Sequence, residues 1–195
     1  MLSLVILAAG KSTRMLGRNK LLVKIDGKPI IRNVVERALS SNVDEVIVVL
    51  GCEAKKIRDT LEDLPCRFVV NKEYRKGQSS SVKAGLREIA LGTEAILVLP
   101  GDVAMIKPSS INMVVEAFND GKNSIVVAAH TGRSGHPILL SKKLFKEIEQ
   151  IEEATFGLKS VVSRHESEIR MVETGSEDVL IDIDTPMDLK LLKRQ

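Results

Sequence analysis

The chain has 195 residues, 44% of them hydrophobic, and a net charge of +3, which suits one globular domain with a substantial core. Acidic and basic residues are interleaved and aromatics are scarce (no Trp, one Tyr, four Phe), which argues against a nucleic-acid surface of basic patches or stacked bases. No apolar run approaches the ~20 residues of a membrane span and the first is too short for a signal peptide, so a cytoplasmic location is expected.

In chain order, Leu4–Leu7 reads as a first strand. Pro29 opens a helix whose apolar stripe runs from Ile30 to Leu39. Glu45–Leu50 and Arg67–Val70 read as strands around a charged helix, Ala54–Leu64, stopped by Pro65. A polar loop, Asn71–Gly77, leads to a helix over Gln78–Leu91. Ala95–Leu99 is the next strand, followed by the turn Pro100-Gly101-Asp102 and a helix from Pro108 to Phe118. Ile125–Ala129 and Pro137–Leu140 read as strands joined by a loop, Thr131–His136. Helices are expected near Lys142–Ile151 and Leu158–His165, strands at Ile169–Val172 and Val179–Ile183, and a last helix from Pro186. The alternation predicts one α/β domain spanning residues 1–195, a mostly parallel sheet between helices. Ligands of such sheets sit beyond the carboxyl ends of the strands, where the first loop, the Asn71–Gln78 loop and the Pro100-Gly101-Asp102 turn all fall.

The first loop carries the strongest signal. Leu7-Ala8-Ala9-Gly10 supplies small residues that let a ligand approach the backbone, and Gly10 can adopt a left-handed turn. Lys11, Arg14, Arg18 and Lys20 follow, and no acid occurs before Asp26. Exposed N–H groups amid uncompensated positive charge suit a polyphosphate. Two familiar phosphate loops do not fit. The Walker pattern requires Gly where Val5 stands, and G-x-G-x-x-G is absent.

Asp102 ends a buried strand and points at the expected cleft; its alternative role is to cap the helix near Pro108, six residues on. Strand alternation through Ile181-Asp182-Ile183-Asp184-Thr185-Pro186 would put Asp182 and Asp184 on one face. Magnesium bound to phosphates takes only one or two protein carboxylates, and these acids offer them. Gln78 presents an amide with both donor and acceptor, Ser79 and Ser80 stand at a helix start, and Asn71 could read a base edge or hold a turn. His136, between Gly135 and Pro137 after a polar loop, reads as exposed and suited to acceptor binding. Cys52 and Cys66 are far apart, without zinc-ligand spacing, and read as buried thiols.

The chain resembles the MobA-like nucleotidyltransferases. The resemblance rests on Leu7-Ala8-Ala9-Gly10, Arg14-Met15, Gly17, Lys20, Lys28-Pro29-Ile30, Gly101-Asp102, Gly135-His136-Pro137 and the Asp-x-Asp-Thr-Pro-x-Asp run ending at Asp188. It departs at three places: Leu16 is inserted before Gly17, Ala104 stands where Pro is usual, and Ala154–Lys159 lacks the acid of cytidylyl relatives. The resemblance implies a three-layer α/β/α, Rossmann-like (GT-A-like) fold and a magnesium-dependent transfer from an NTP to a phosphorylated acceptor. Catalytic roles fall on Lys20, Asp102 and Arg14, and metal ligation on Asp102 and Asp184. Nucleotide contacts fall on Leu7, Ala8, Ala9, Gly10, Lys11, Ser12, Asn71, Gln78, Ser79 and Ser80, and acceptor contacts on Gly135 and His136. Leu-Ala-Ala-Gly resembles the branch that uses CTP and a molybdopterin acceptor. A GTP-using molybdopterin enzyme, a sugar-phosphate or other small-phosphate enzyme, and a non-catalytic nucleotide-binding regulator are the alternatives.

Overall fold

The computed structural model describes residues 1–195 except 14, 16–18, 122, 184, 186 and 189–195. Its elements are β1 (Leu2–Ala8), β2 (Lys24–Ile25), β3 (Lys28–Pro29), α1 (Ile30–Leu39), β4 (Glu45–Leu50), α2 (Ala54–Leu61), β5 (Arg67–Val70) and α3 (Gln78–Leu86). They continue with β6 (Ala95–Pro100), α4 (Pro108–Asn119), β7 (Ile125–His130), β8 (Arg133–Ser141), α5 (Phe145–Ile148), α6 (Leu158–Arg164) and β9 (Ile169–Glu173). Among the described residues seven strands form one sheet in the order β5-β4-β1-β6-β8-β7-β9. Its pairings are parallel except where β8 runs antiparallel to β6 and β7.

The central strands are apolar on both faces because both are covered. Leu4, Ile6 and Ala8 of β1, with Val46, Val48 and Leu50 of β4, pack under α1, α2 and α4. Val5, Ile47 and Val49 face the other way, on the side of α3. There Gly85 lets α3 lie close: a Cβ on it would stand 2.4 Å from Val5 Cγ1. Val82 and Leu86 of α3, Ile148 of α5 and Val161 of α6 cover Ile96, Val98, Ile125 and Val127 on this face. The result is a three-layer α/β/α Rossmann-like arrangement, as expected, with a mixed and largely parallel sheet. No described helix is long and apolar enough to cross a membrane. Cys52 and Cys66 are half-buried free thiols.

Several expectations require correction. Residues 131–136 are not a loop. Thr131 (φ 50°) and Gly132 (φ 76°) make a tight left-handed turn, and β8 starts at Arg133. Glu173 fixes that turn, accepting from the N–H groups of Thr131 (2.9 Å) and Gly132 (2.8 Å). The helix from Gln78 ends at Leu86, not Leu91, because its last turn tightens as Glu88 N–H donates to Gly85 O at 3.1 Å. The helix from Ala54 ends at Leu61, not Leu64, and a 3-10 turn replaces the start of the one from Lys142.

Residues 179–183 form no strand. Glu177–Val179 is a 3-10 turn that delivers the buried carboxylate of Asp178 to the start of α4. Asp178 accepts from Lys107 N–H at 2.7 Å and from Ser110 Oγ at 2.9 Å, so Asp178, not Asp102, caps that helix. The helix expected from Pro186 falls largely outside the described residues.

Candidate active site

β1 and β6 are parallel neighbours, and Leu7 stands opposite Pro100 where both strands end. The chain leaves β1 toward α1 and β4 on one side, while β6 lies on the other, so a crevice opens between them. It forms a cleft of about 390 Å³ lined by the first loop, by Lys20 and Leu21, by Tyr74 and Arg75, by Gly77, Gln78 and Ser81, and by Pro100 and Asp102. That volume lies within the range of small-molecule sites.

The loop is shaped by its neighbours. Cys52 N–H donates to Ala9 O at 3.1 Å, and Gly51 has no room for a side chain, since a Cβ there would lie 2.7 Å from Ala9 Cβ. Among the described residues of the loop, the left-handed one is Ser12 (φ 51°), not Gly10. Beside Gly10 there is open space: a Cβ would meet nothing within 4 Å. Asn19 then caps a 3-10 turn, Lys20–Leu22, its Oδ1 accepting from Leu21 N–H at 3.1 Å. This cap directs Lys20 across the cleft, where its ammonium forms an ion pair with the Asp102 carboxylate. The side chains are 17% and 14% exposed. Asp102 is anchored on both sides: Gly101 N–H donates to Leu7 O at 3.0 Å, and Ile183 N–H donates to Asp102 O at 3.1 Å. Among the described lining residues, Lys11, Lys20 and Arg75 face a single acid, Asp102. The cleft is therefore poised for an anion.

Leu7, Ala9, Gly10, Lys11, Ser12, Lys20, Gln78 and Asp102 all line this cleft. Three of the other expected nucleotide contacts have different work. Ala8 is fully buried in the core. Asn71 is buried, donates to Ser80 Oγ (2.8 Å) and Ser81 Oγ (3.0 Å), and accepts from Glu73 N–H (2.9 Å). Its amide is spent inside the protein, which leaves the turn role and removes the base-reading one. Ser80 is likewise turned inward, donating to Gly77 O at 2.8 Å. Ser79 belongs to a second cleft.

That second cleft, about 990 Å³, adjoins the first at Gln78, which lines both. Gly135 and His136 line it, on the side where acceptor contacts were expected. His136 is not exposed, as its Gly-Pro setting suggested, but half-buried in β8. Burial pushes its imidazole below the ordinary histidine range, while Asp102 and Asp182 pull the other way. Gly135 has no room for a side chain, since a Cβ would sit 2.3 Å from Val179 O.

Sequence reasoning missed Tyr74, Arg75 and Asn19 in or behind the first cleft, and Glu153, Val162 and Ser163 around the second; it marked Ala154–Lys159 only as a departure from cytidylyl relatives, and Phe156, Leu158 and Lys159 of that segment line the second cleft. Asn19 had a readable signal, an Asn before Lys-Leu-Leu, as an N-cap. Arg14 and Asp184, two expected site residues, lie outside the described residues. Among the described residues no three His, Cys, Asp or Glu form a metal cluster. One carboxylate facing a phosphate-sized cleft nonetheless suits magnesium, which takes few protein ligands when phosphate oxygens complete its shell.

The model of the MobA-like NTP transferase domain matches residues 4–169. The bifunctional protein GlmU of Buchnera aphidicola subsp. Acyrthosiphon pisum (strain Tuc7) is 33% identical over 141 residues, covering 72% of this chain and 30% of that protein. The chain thus spans about a third of the length of the curated relatives it matches. A solved nucleotidyl transferase from Methanothermobacter thermautotroptrophicus superimposes with a TM-score of 0.86 at 23% identity, covering 100% of this chain and 96% of that one. Rv0371c from Mycobacterium tuberculosis H37Rv gives a TM-score of 0.87 at 22% identity, covering 100% and 97%. A further structure of Rv0371c is a complex with manganese.

Proposed function

Because this chain belongs to the MobA-like NTP transferase family, we propose that it moves a nucleoside monophosphate from an NTP to a small phosphorylated acceptor and releases pyrophosphate. The observation that carries this reading is the Lys20–Asp102 ion pair in a cationic cleft that opens, at Gln78, into a second cleft. The NTP occupies the first cleft and the acceptor the second. An acceptor phosphate oxygen attacks the α-phosphorus, a new P–O bond forms, and the bond to the β-phosphate bridging oxygen breaks. The attacking oxygen is already anionic, so no general base is needed, and catalysis is positioning plus charge neutralisation.

Lys11, Lys20 and the backbone N–H groups of the first loop hold the β- and γ-phosphates and neutralise the leaving pyrophosphate. Arg14 is assigned to the same task by its place in the family motif. Asp102, with Asp184 by the same motif, would hold magnesium, which supplies charge neutralisation at the reacting phosphates. Gln78, at the boundary of the clefts, orients the two substrates.

The acceptor class favoured is a sugar phosphate or another small phosphate, since none of the relatives named above carries a name that specifies a molybdenum-cofactor substrate. A narrower reading, CTP with a molybdopterin acceptor, is supported by Leu7-Ala8-Ala9-Gly10. Pyrophosphate release across a panel of NTPs and phosphorylated acceptors, molybdopterin included, with and without magnesium, tests both. NTP binding with no release for any acceptor would replace the enzyme by a nucleotide-binding regulator.

A further inference from the structure

The second cleft contains a device that the transfer reaction leaves unexplained. Residues 152–157 make a tight turn in which Gly157 N–H donates to Glu152 O at 2.9 Å. From this turn Glu153 reaches back to the start of α3, accepting from Ser79 N–H at 2.9 Å and Ser79 Oγ at 2.7 Å. Two left-handed glycines make the seat possible. A Cβ on Gly77 (φ +104°) would stand 2.3 Å from Glu153 Cδ, and one on Gly157 (φ +54°) would stand 2.5 Å from Ser79 Oγ. A carboxylate at this end of a helix also meets the positive end of its dipole. The turn is therefore tied to the same helix start that presents Gln78 to both clefts.

Phe156 is the residue this tether displays. It is left-handed (φ 64°), a conformation that non-glycine residues rarely hold, and is 81% exposed in a chain with few aromatics. It lines the cleft together with Leu158, Val162, Ile169 and Met171, while Lys159 adds a cation beside it. Glu153 and Ser79, two of the polar groups in that wall, satisfy each other. Gln78, Ser134, His136, Ser163 and Glu166 also line the cleft, but Phe156, Leu158, Val162, Ile169 and Met171 give it an apolar face that a sugar ring would leave unused.

We propose that Phe156 is a specificity residue for the acceptor and Glu153 its positioning residue: the acceptor carries, beyond its phosphate, a flat or apolar body that packs on Phe156. This rests on the nucleotidyltransfer reading and, of the two acceptor kinds favoured there, selects the other small phosphates over plain sugar phosphates.

The test is titration calorimetry on the full chain with magnesium and an α,β-methylene NTP, comparing 1-naphthyl phosphate with glucose 1-phosphate. Naphthyl phosphate should bind about tenfold more tightly, and Phe156→Ala should weaken it roughly five- to tenfold while changing glucose 1-phosphate little. Glu153→Ala should match Phe156→Ala, and Glu153→Gln, whose amide oxygen still accepts from Ser79, should restore most of the loss. Equal binding of the two phosphates, or naphthyl affinity unchanged in Phe156→Ala, overturns the acceptor class. Failure of Glu153→Gln to rescue overturns the positioning role. Affinity for the NTP analogue, read in the same titrations, separates the cases: its absence in the unmodified chain overturns the nucleotidyltransfer reading itself.

Discussion

Lys20 and Asp102, 82 residues apart in sequence, form an ion pair across the first cleft. The groups assigned to phosphate and to metal thus compete for one another until a substrate separates them. Replacing Lys20 by Gln should free the Asp102 carboxylate. Manganese binding without nucleotide should then tighten about five- to tenfold, while NTP affinity falls roughly tenfold or more. Electron paramagnetic resonance of free manganese reads the first effect and calorimetry the second. Unchanged manganese affinity would remove Asp102 from the metal site.

Asn71 is a strut, not a base reader, so Asn71→Ala should cost stability and spare binding. Ser80, Ser81 and Glu73 N–H each lose a buried partner. The loss should be about 2 kcal/mol, or a fall of roughly 4–8 °C in Tm for a chain of this size. NTP affinity below the new Tm should stay within about twofold of the parent. A large loss of affinity with an unchanged Tm would return Asn71 to the nucleotide.

What the sequence made legible follows from burial. Glu45–Leu50 was readable to the residue because a strand covered on both faces is a continuous apolar run between polar ends. Gly101-Asp102 was readable because its strand ends abruptly. Gly135-His136 looked like a loop because neither residue favours a strand, yet both lie within β8. The Val179–Ile183 run has strand-like alternation, but Val179 ends the 3-10 turn that seats Asp178 against α4, and Ile183 braces Asp102. The apolar wall of the second cleft was illegible because α6, β7 and β9 contribute to it and no local spacing connects them.

Close packing of α3 on β1 makes Gly85→Ala a probe of the central layer. The new Cβ would lie 2.4 Å from Val5 Cγ1 and 3.1 Å from Val49 Cγ2. Overpacking should outweigh the gain in helix propensity, leaving a net loss of about 1–2 kcal/mol in urea unfolding. Val5→Ala in the same background should recover part of it. A gain in stability on Gly85→Ala alone would mean that the contact relaxes freely.

His165 clamps α6 through two carboxylates, with Nδ1 2.8 Å from Glu168 and Nε2 2.8 Å from Glu147. Hydrogen bonds to Glu168 and then Glu147 raise its pKa above the ordinary value. A raised folded-state pKa contributes stability that is fully present below the unfolded value of about 6.5 and lost as pH rises through the higher folded value. The Tm difference between the parent and His165→Gln should therefore shrink as pH rises from about 6.5 through the higher folded value. A difference that stays constant over that window would show that the imidazolium contributes nothing.

The central claim is that one cleft, built on Lys20 and Asp102, drives transfer at the α-phosphorus. Its most direct test is phosphorus NMR of the full chain with magnesium, an NTP and the phosphorylated acceptors, set against Asp102→Asn with its Tm measured in parallel. The expected result is one new diphosphate linkage and one pyrophosphate per NTP consumed. Asp102→Asn should be slowed by about two orders of magnitude or more with its Tm retained. Release of γ-phosphate instead of pyrophosphate, or full turnover in Asp102→Asn, would contradict it.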